Sequence, residues 1–391
     1  MSSYVAARYI SSRAVSVVCC IQQGSEGKMC RSVAVLLSLA VLALWVTSSI
    51  EDCSCLEPTL CQPLPATKRY PVQLFAFHGG SNEWKHYDWS KITTIITGGA
   101  YDQELLCHAH ARNARVVTEE AIGKFDLSDH REQNWITNKL HTIQQRYLDG
   151  IHLRFDSVLD ATFSAKLPNL IHEIKIRFKQ SMPGCQISFN APWNCNTSTT
   201  VCSDLVSASK YADYVHVTSY DVQVHMWTDC FAKANAPYHQ IRTGISSYIE
   251  QGVNSKKIIL TVPWFGYDYT CNHFIEAGRC EIEKVAFEGA PCSGVKASGI
   301  PYKQIMKLLL KSMSGRIWDD DLKAPYFVYK KEKAFHEVWY DDPESISLRT
   351  TFLKKFKLGG IGMLNADFAN YSSDPIVAMK TEEMWNALCP P

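Results

Sequence analysis

The run Asp149-Gly150-Ile151-His152-Leu153-Arg154-Phe155-Asp156 offers the strongest case for chemistry in the chain. On a β-strand alternate side chains share a face, so His152, Arg154 and Asp156 point one way and Ile151, Leu153 and Phe155 the other. A polar row backed by an apolar one suits a strand that packs along one face and ends at a site. The terminal carboxyl, Asp156, is a candidate proton donor or acceptor. Arg154, two residues earlier on the same face, bears directly on it: a neighbouring guanidinium lowers a carboxyl's pKa and favours the ion pair over the protonated acid.

Such a strand needs others to hold it. Seven more short runs rich in β-branched and aromatic residues are expected as strands: Val72 to His78, Thr93 to Thr97, Ala114 to Thr118, Gln186 to Phe189, Tyr214 to Tyr220, Lys257 to Pro263 and Gly360 to Leu364. Between them lie helical patterns such as Leu170, Ile171, Ile174, Phe178 and Leu348, Phe352, Leu353, Phe356. Asp374 and Pro375 form a cap and first-turn pair for a last helix. Alternating strands and helices imply an α/β fold, and eight strands are what a closed (β/α)8 TIM barrel requires. In such a barrel reactive groups sit at the C-terminal strand ends, where Asp156 falls. One interval, about 266–343 between strands seven and eight, is too long for a crossover and predicts a small α+β insertion.

The first 50 residues read differently. Val33 to Val46 is nearly continuous apolar sequence behind Lys28 and Arg31 and ahead of Thr47, Ser48 and Ser49, the layout of a secretory signal. It is short for a membrane span. Residues 1–28 are expected to be an upstream extension, 29–49 the signal peptide and 50–391 the barrel; a retained anchor is the alternative. Beyond residue 50 stand cysteines 53, 55, 61, 107, 185, 195, 202, 230, 271, 280, 292 and 389. That density predicts several disulfides of open connectivity and a secretory route leading to the lysosome or the exterior. Asn196 and Asn370 open glycosylation triplets. No zinc spacing is present, so neither metal nor cofactor is expected. A net charge of +1 gives no bias toward nucleic acid or, after signal cleavage, a membrane. A monomer is expected.

The strand motif resembles the Asp-Gly-x-Asp-x-Asp-x-Glu of the family 18 glycoside hydrolases, the chitinases and their relatives. Thr218-Ser219-Tyr220-Asp221 is similar to that family's sixth-strand Met-x-Tyr-Asp, and Val262-Pro263-Trp264-Phe265-Gly266 to its seventh strand. Val338 to Pro343, Ser345-Ile346 and Gly359-Gly360 match the approach to the eighth. Cys53-x-Cys55, Tyr87-Asp88-Trp89-Ser90, Tyr267 to Cys271 and Gly289 to Cys292 look like its chitobiase branch. The resemblance spans roughly residues 50 to 390 and implies a sugar-binding barrel for N-acetylglucosamine oligosaccharides.

The family's mechanism, so implied, uses no protein nucleophile: the substrate's acetamido oxygen attacks while the motif Glu protonates the leaving oxygen. Here Asp156 occupies the Glu position, Arg154 that of the Asp that stabilises positive charge, and Leu364 that of the strand-eight Trp beneath the sugar. Asp156 is one methylene short, about 1 Å or more, and misplacement of that size costs on the order of a hundredfold. Arg154 reverses the sign of an electrostatic contribution. All three changes oppose catalysis. Tyr220 and Asp221 match and are expected to hold an acetamido sugar; Asp149, His152, Trp264, Leu364 and Asn365 are the further candidates for contact with it. Lost or strongly impaired hydrolysis is therefore expected. The alternative is an active exo-glycosidase using Asp156 as its acid, and a third reading has Arg154 receiving an anionic sugar. Simpler roles compete throughout: a barrel-interior ion pair for Arg154 and Asp156, packing for Trp264, and polar filling for His152 and His216.

Overall fold

Strands form where β-branched and aromatic residues cluster, because such side chains pack well on a pleated surface. The computed structural model describes residues 55–391 except 66–71, 100, 124–128, 156–160, 196–198, 223–228, 276–278, 288–289 and 390–391. The expected extension and signal peptide therefore lie outside the described residues, as do Asp156 and Asn196. In chain order the strands are β1 (Gln73–His78), β2 (Thr94–Thr97), β3 (Arg115–Ile122), β4 (Gly150–Phe155), β5 (Gln186–Ala191), β6 (Tyr214–Thr218), β7 (Ile258–Pro263), β8 (Phe265–Thr270), β9 (His273–Ile275), β10 (Arg279–Glu281), β11 (Ser298–Pro301), β12 (Ile317–Asp319), β13 (Ala324–Lys331), β14 (Ala334–Trp339) and β15 (Gly360–Leu364). β1 to β7 and β15 close into a parallel barrel in the order β1-β15-β7-β6-β5-β4-β3-β2. The helices are α1 (Gln103–Ala111), α2 (Asp129–Gln145), α3 (Ala161–Ser164), α4 (Leu167–Ser181), α5 (Thr199–Ser209), α6 (Tyr238–Glu250), α7 (Tyr302–Leu309), α8 (Pro343–Phe356) and α9 (Pro375–Asn386). Among the described residues no helix is long and apolar enough to cross a membrane.

Alternation sorts each barrel strand into two cores. Phe75, Phe77, Ile96, Val117 and Ile259 fill the barrel interior. Ile151, Leu153, Ile187 and Phe189 face outward against Leu170, Ile171, Ile174 and Phe178 of α4. Parallel strands are covered on both faces, so the sequence is apolar at both parities except where a site intervenes. Gly150 has a steric reason: a Cβ there would stand 2.0 Å from the Gln186 carbonyl oxygen, on the strand it pairs with.

Most barrel strands shift from expectation by one or two residues at one end, and the largest difference is at the end of β3. β3 runs to Ile122 rather than stopping at Thr118, which sets Glu119 beside His152 and Ala121 beside Arg154 across the β3–β4 pair. Glu120, of opposite parity, turns outward to Lys139 on α2 at 2.5 Å.

The disulfides left open by the sequence are Cys55–Cys107, Cys195–Cys202, Cys230–Cys292 and Cys271–Cys280. Cys61 is also disulfide-bonded. Cys185 and Cys389 are free thiols.

The insertion is α+β, as expected. A five-stranded antiparallel sheet, β11-β8-β14-β13-β12, stands with the β9–β10 hairpin over a core that includes Tyr269, Ile282, Ala324 and Trp339. Glu337 on β14 is 1% exposed. One of its oxygens accepts from the Trp339 indole at 2.6 Å, and the other has no partner among the described residues. Burial outweighs that hydrogen bond and a weaker one from the Cys280 backbone, and pushes the carboxyl up to about 8. The folded state then binds a proton that the unfolded state releases above pH ~4.5, so stability falls as pH rises from ~4.5 to ~8. Glu337→Gln is expected to remove a pH-dependent loss on the order of 4 kcal/mol between pH ~5 and ~8. Urea unfolding of both chains at the two pH values checks this; parallel profiles would contradict it.

Candidate active site

The C-terminal strand ends gather a small set of polar groups. Arg154, whose side chain is 46% exposed, emerges at the end of β4 and donates from Nε to Glu119 Oε1 of β3 at 2.9 Å. Glu119 is thus a partner of the inverted charge at this mouth, and its side chain is 20% exposed. Tyr220 follows β6, half-buried. Burial first, then Asp221 and Glu119, raise its pKa against the opposing effect of Arg154, so the phenol stays protonated and able to donate a hydrogen bond. Asp221 takes a left-handed conformation at φ 60°, which Asp tolerates better than most residues. Its N–H donates to Asn235 at 2.7 Å, and its carboxylate accepts from the Tyr267 hydroxyl at 2.7 Å. The insertion strand β8 therefore fixes the Asp that follows the sixth barrel strand.

Aromatic rings continue this wall. Phe265 meets Tyr220 edge-on at 5.5 Å, Tyr267 at 5.9 Å and Phe368 at 6.3 Å. All four rings are half-buried, leaving part of each open at the mouth. Leu364 is half-buried and packs on the interior core, offering an aliphatic surface where the family resemblance implies an aromatic one.

Beneath the mouth the side chains of the barrel interior are buried. His152 is 1% exposed and lies against Ser188 Oγ at 3.0 Å. Its ring meets that of His216 edge-on at 4.7 Å. Burial, then the Arg154 charge, lowers the His152 pKa to about 3; burial, then His152, lowers that of His216. Two neutral imidazoles therefore replace charge in the layer under Arg154. Among the described residues no three His, Cys, Asp or Glu side chains converge as a metal site.

Two candidates are corrected. Trp264 is fully buried and packs edge-on against Trp385 at 5.0 Å, between barrel and helices, so it has no face open to a sugar. Its outward parity at the end of β7 makes it core, the simpler of the two roles open to it. Asp149 is fully buried as well, before the N-terminal end of β4 and a strand's length from the mouth. Its oxygens accept from Leu64 N at 2.6 Å and Val116 N at 2.6 Å, pair with His110 at 2.9 Å and stand 3.7 Å from Arg115. It is an anchor and makes no approach to a ligand at the mouth. Asn365, half-buried, accepts from Asp367 N at 3.2 Å and caps a short turn. Asn370 accepts from Ser372 N at 3.2 Å in its own turn.

Four participants were not singled out from sequence. Glu119 was hidden by ending β3 too early, although extending the alternation through Val117 places it on the inward face. Phe265 and Phe368 carry no individual signature. Asp367, just after β15, accepts from Gly79 N, Ser81 Oγ and Tyr87 OH and stands 3.4 Å from His78. Burial opposes its ionisation, but bonds from His78, Ser81 and Gly79 hold its carboxyl well below the usual range. This knot ties the loop after β1 to the end of β15.

A closed parallel barrel whose strand ends gather Arg154, Glu119, Tyr220 and Asp221, flanked by an antiparallel insertion, is the frame of a TIM-barrel enzyme class. Residues 116–369 match the model of glycosyl hydrolases family 18, and the chain belongs to that family. It is 41% identical over 345 residues to human di-N-acetylchitobiase, covering 87% of this chain and 89% of the relative. The mouse protein of the same name is 39% identical, covering 90% and 97%. In fold it is similar to an Ostrinia furnacalis Group IV chitinase solved with allosamidin, at TM-score 0.64 and 17% identity, covering 81% of this chain and 97% of that one.

Proposed function

We propose that the chain binds short β-1,4-linked N-acetylglucosamine oligosaccharides at the barrel mouth and has lost, or strongly reduced, the ability to hydrolyse them. The observation that carries this reading is the Arg154–Glu119 ion pair. A cation stands where the family resemblance implies an anion supporting positive charge, and it is held there by a carboxylate on the neighbouring strand. Binding is supported by what remains: the protonated Tyr220 phenol, Asp221 fixed by Tyr267, and the half-open rings of Phe265 and Phe368. Relatives named di-N-acetylchitobiase support the substrate class.

One observation favours the competing reading of an active exo-glycosidase. Glu119 offsets much of the Arg154 charge, which reduces the penalty on a cationic transition state and leaves Asp156 less strongly held as carboxylate. Calorimetric titration with N,N′-diacetylchitobiose tests the binding half. Saturable binding is expected, weakened about threefold to tenfold in Phe265→Ala, the ~0.5–1.5 kcal/mol of one aromatic contact. No heat of binding, or equal affinity in the variant, would contradict it.

The same reading places the chain on the secretory route, with residues 29–49 removed and Asn196 and Asn370 glycosylated. The disulfides support this, since such bonds persist in oxidising compartments. A mobility shift of the expressed chain on treatment with a glycan-removing amidase checks it; no shift would count against it.

A further inference from the structure

At the end of the barrel opposite the mouth, the N-terminal strand ends surround a cavity of about 780 Å³. That volume falls in the range of small-molecule sites, roughly 300–1,000 Å³. The chain carries 40 basic and 39 acidic residues, so a lining of near-equal sign is the ordinary expectation. This lining holds seven basic side chains and one carboxylate, Asp213.

The basic groups are of two kinds. Three are built into the wall. Arg115 donates to the carbonyls of Pro65 at 2.8 Å and Gly184 at 3.1 Å, and Lys179 pairs with Asp213 at 3.1 Å. Lys257 donates to the carbonyls of Ser209 at 2.8 Å, Lys210 at 3.1 Å and Ala212 at 2.8 Å. The other four, Lys175 of α4, Lys256 before β7, and Lys354 and Lys357 at the C-terminal end of α8, line the cavity with no ion-pair partner among the described residues. Burial, and after it the like charge of Lys175, lower the Lys257 pKa against the opposing pull of Asp213.

A second observation points to a ligand. Gln186, at the start of β5, lines the same cavity and is 6% exposed. Its side-chain Nε2, a donor, has no hydrogen-bond partner among the described residues. A buried donor left unmade is costly, and an acceptor oxygen delivered from the cavity would satisfy it. Cations on several elements around one concave wall focus potential toward its centre. We infer that this basal cavity binds a small polyanion bearing two or more phosphate or sulfate groups, at a site separate from the sugar-facing mouth. The site stands whether or not the mouth binds or cleaves sugar.

The test titrates the purified chain with two probes that distinguish the sources of such chemistry: inorganic tripolyphosphate and a heparin-derived sulfated tetrasaccharide. At least one is expected to bind, more weakly at ~300 mM than at ~50 mM salt. The probe that binds identifies the source. Lys175→Glu with Lys354→Glu should weaken binding at least about tenfold, while the equal charge change Lys296→Glu with Lys330→Glu on the insertion should alter it less than about twofold. Lysine acetylation footprinting of the unsubstituted chain provides a readout independent of variant folding: Lys175, Lys256, Lys354 and Lys357 should be protected by the bound probe and Lys296 should not. Binding of neither probe, equal losses in the two variants, or uniform footprints would overturn the proposal.

Discussion

Arg154→Asp combined with Asp156→Glu is expected to raise hydrolysis of N,N′-diacetylchitobiose at least about a hundredfold over the parent chain. Two terms change sign or size together. Removing the guanidinium takes a fixed cation from beside the developing positive charge and substitutes an anion that stabilises it. Lengthening the acid by one methylene returns the proton to where the leaving oxygen can take it. Glu119 makes the effects interdependent, because it is bonded to Arg154. In Arg154→Asp alone Glu119 loses that partner and faces a new carboxylate, and clustered carboxylates raise one another's pKa, which helps a general acid stay protonated. In Asp156→Glu alone the guanidinium remains and the longer acid stays ionised. The single substitutions should therefore fall well short of the pair, as for groups sharing one network. Equal rates in parent and double variant, with sugar binding intact, would show that the impairment lies elsewhere.

Asp149→Ala is expected to destabilise the barrel by about 3–5 kcal/mol, the cost of breaking a buried ion pair by removing one partner. The carboxylate is fully buried and serves four groups at once: Leu64 N, Val116 N, His110 and Arg115. Its loss would strand two backbone donors and a buried imidazole. The substitution also has a pH signature. Burial pulls the His110 pKa down, but the hydrogen bond and charge of Asp149 prevail and raise it. A raised imidazole contributes stability that is fully present below its unfolded value near 6.5 and is lost as pH rises through the folded value. Asp149→Ala should abolish that contribution, which urea unfolding at pH ~5 and ~8 would register. A cost below about 1 kcal/mol would mean that the four contacts are replaced by water or by neighbours.

Parity and composition were the legible features. The alternation in β4 correctly placed Ile151 and Leu153 in the outer core and His152 inside, and the eight apolar runs set the barrel count. The long interval before β15 marked the insertion. Depth along a strand and pairing across strands were far less legible. Asp149 belongs to the matched motif, but its place before β4 buries it at the barrel's base. Trp264 sits at a strand end, yet it packs on Trp385, more than a hundred residues away. The Arg154–Glu119 bond depends on β3 continuing for four residues past its expected end, through Glu119, Glu120, Ala121 and Ile122, only the last of which is a strong strand former. Asp367 is one acidic residue among many until folding brings Gly79, Ser81 and Tyr87 to it. Each of these cases depends on contacts distant in sequence, which local pattern does not encode.

The most direct measurement is hydrolysis of N,N′-diacetylchitobiose and chitotriose by the unsubstituted mature chain across about pH 4–7, run on the same preparation in which both sugars are titrated calorimetrically. Saturable binding with turnover at or near background across the range is the expected result. Turnover with an acidic optimum would contradict it, showing that a proton still reaches the leaving oxygen beside Arg154.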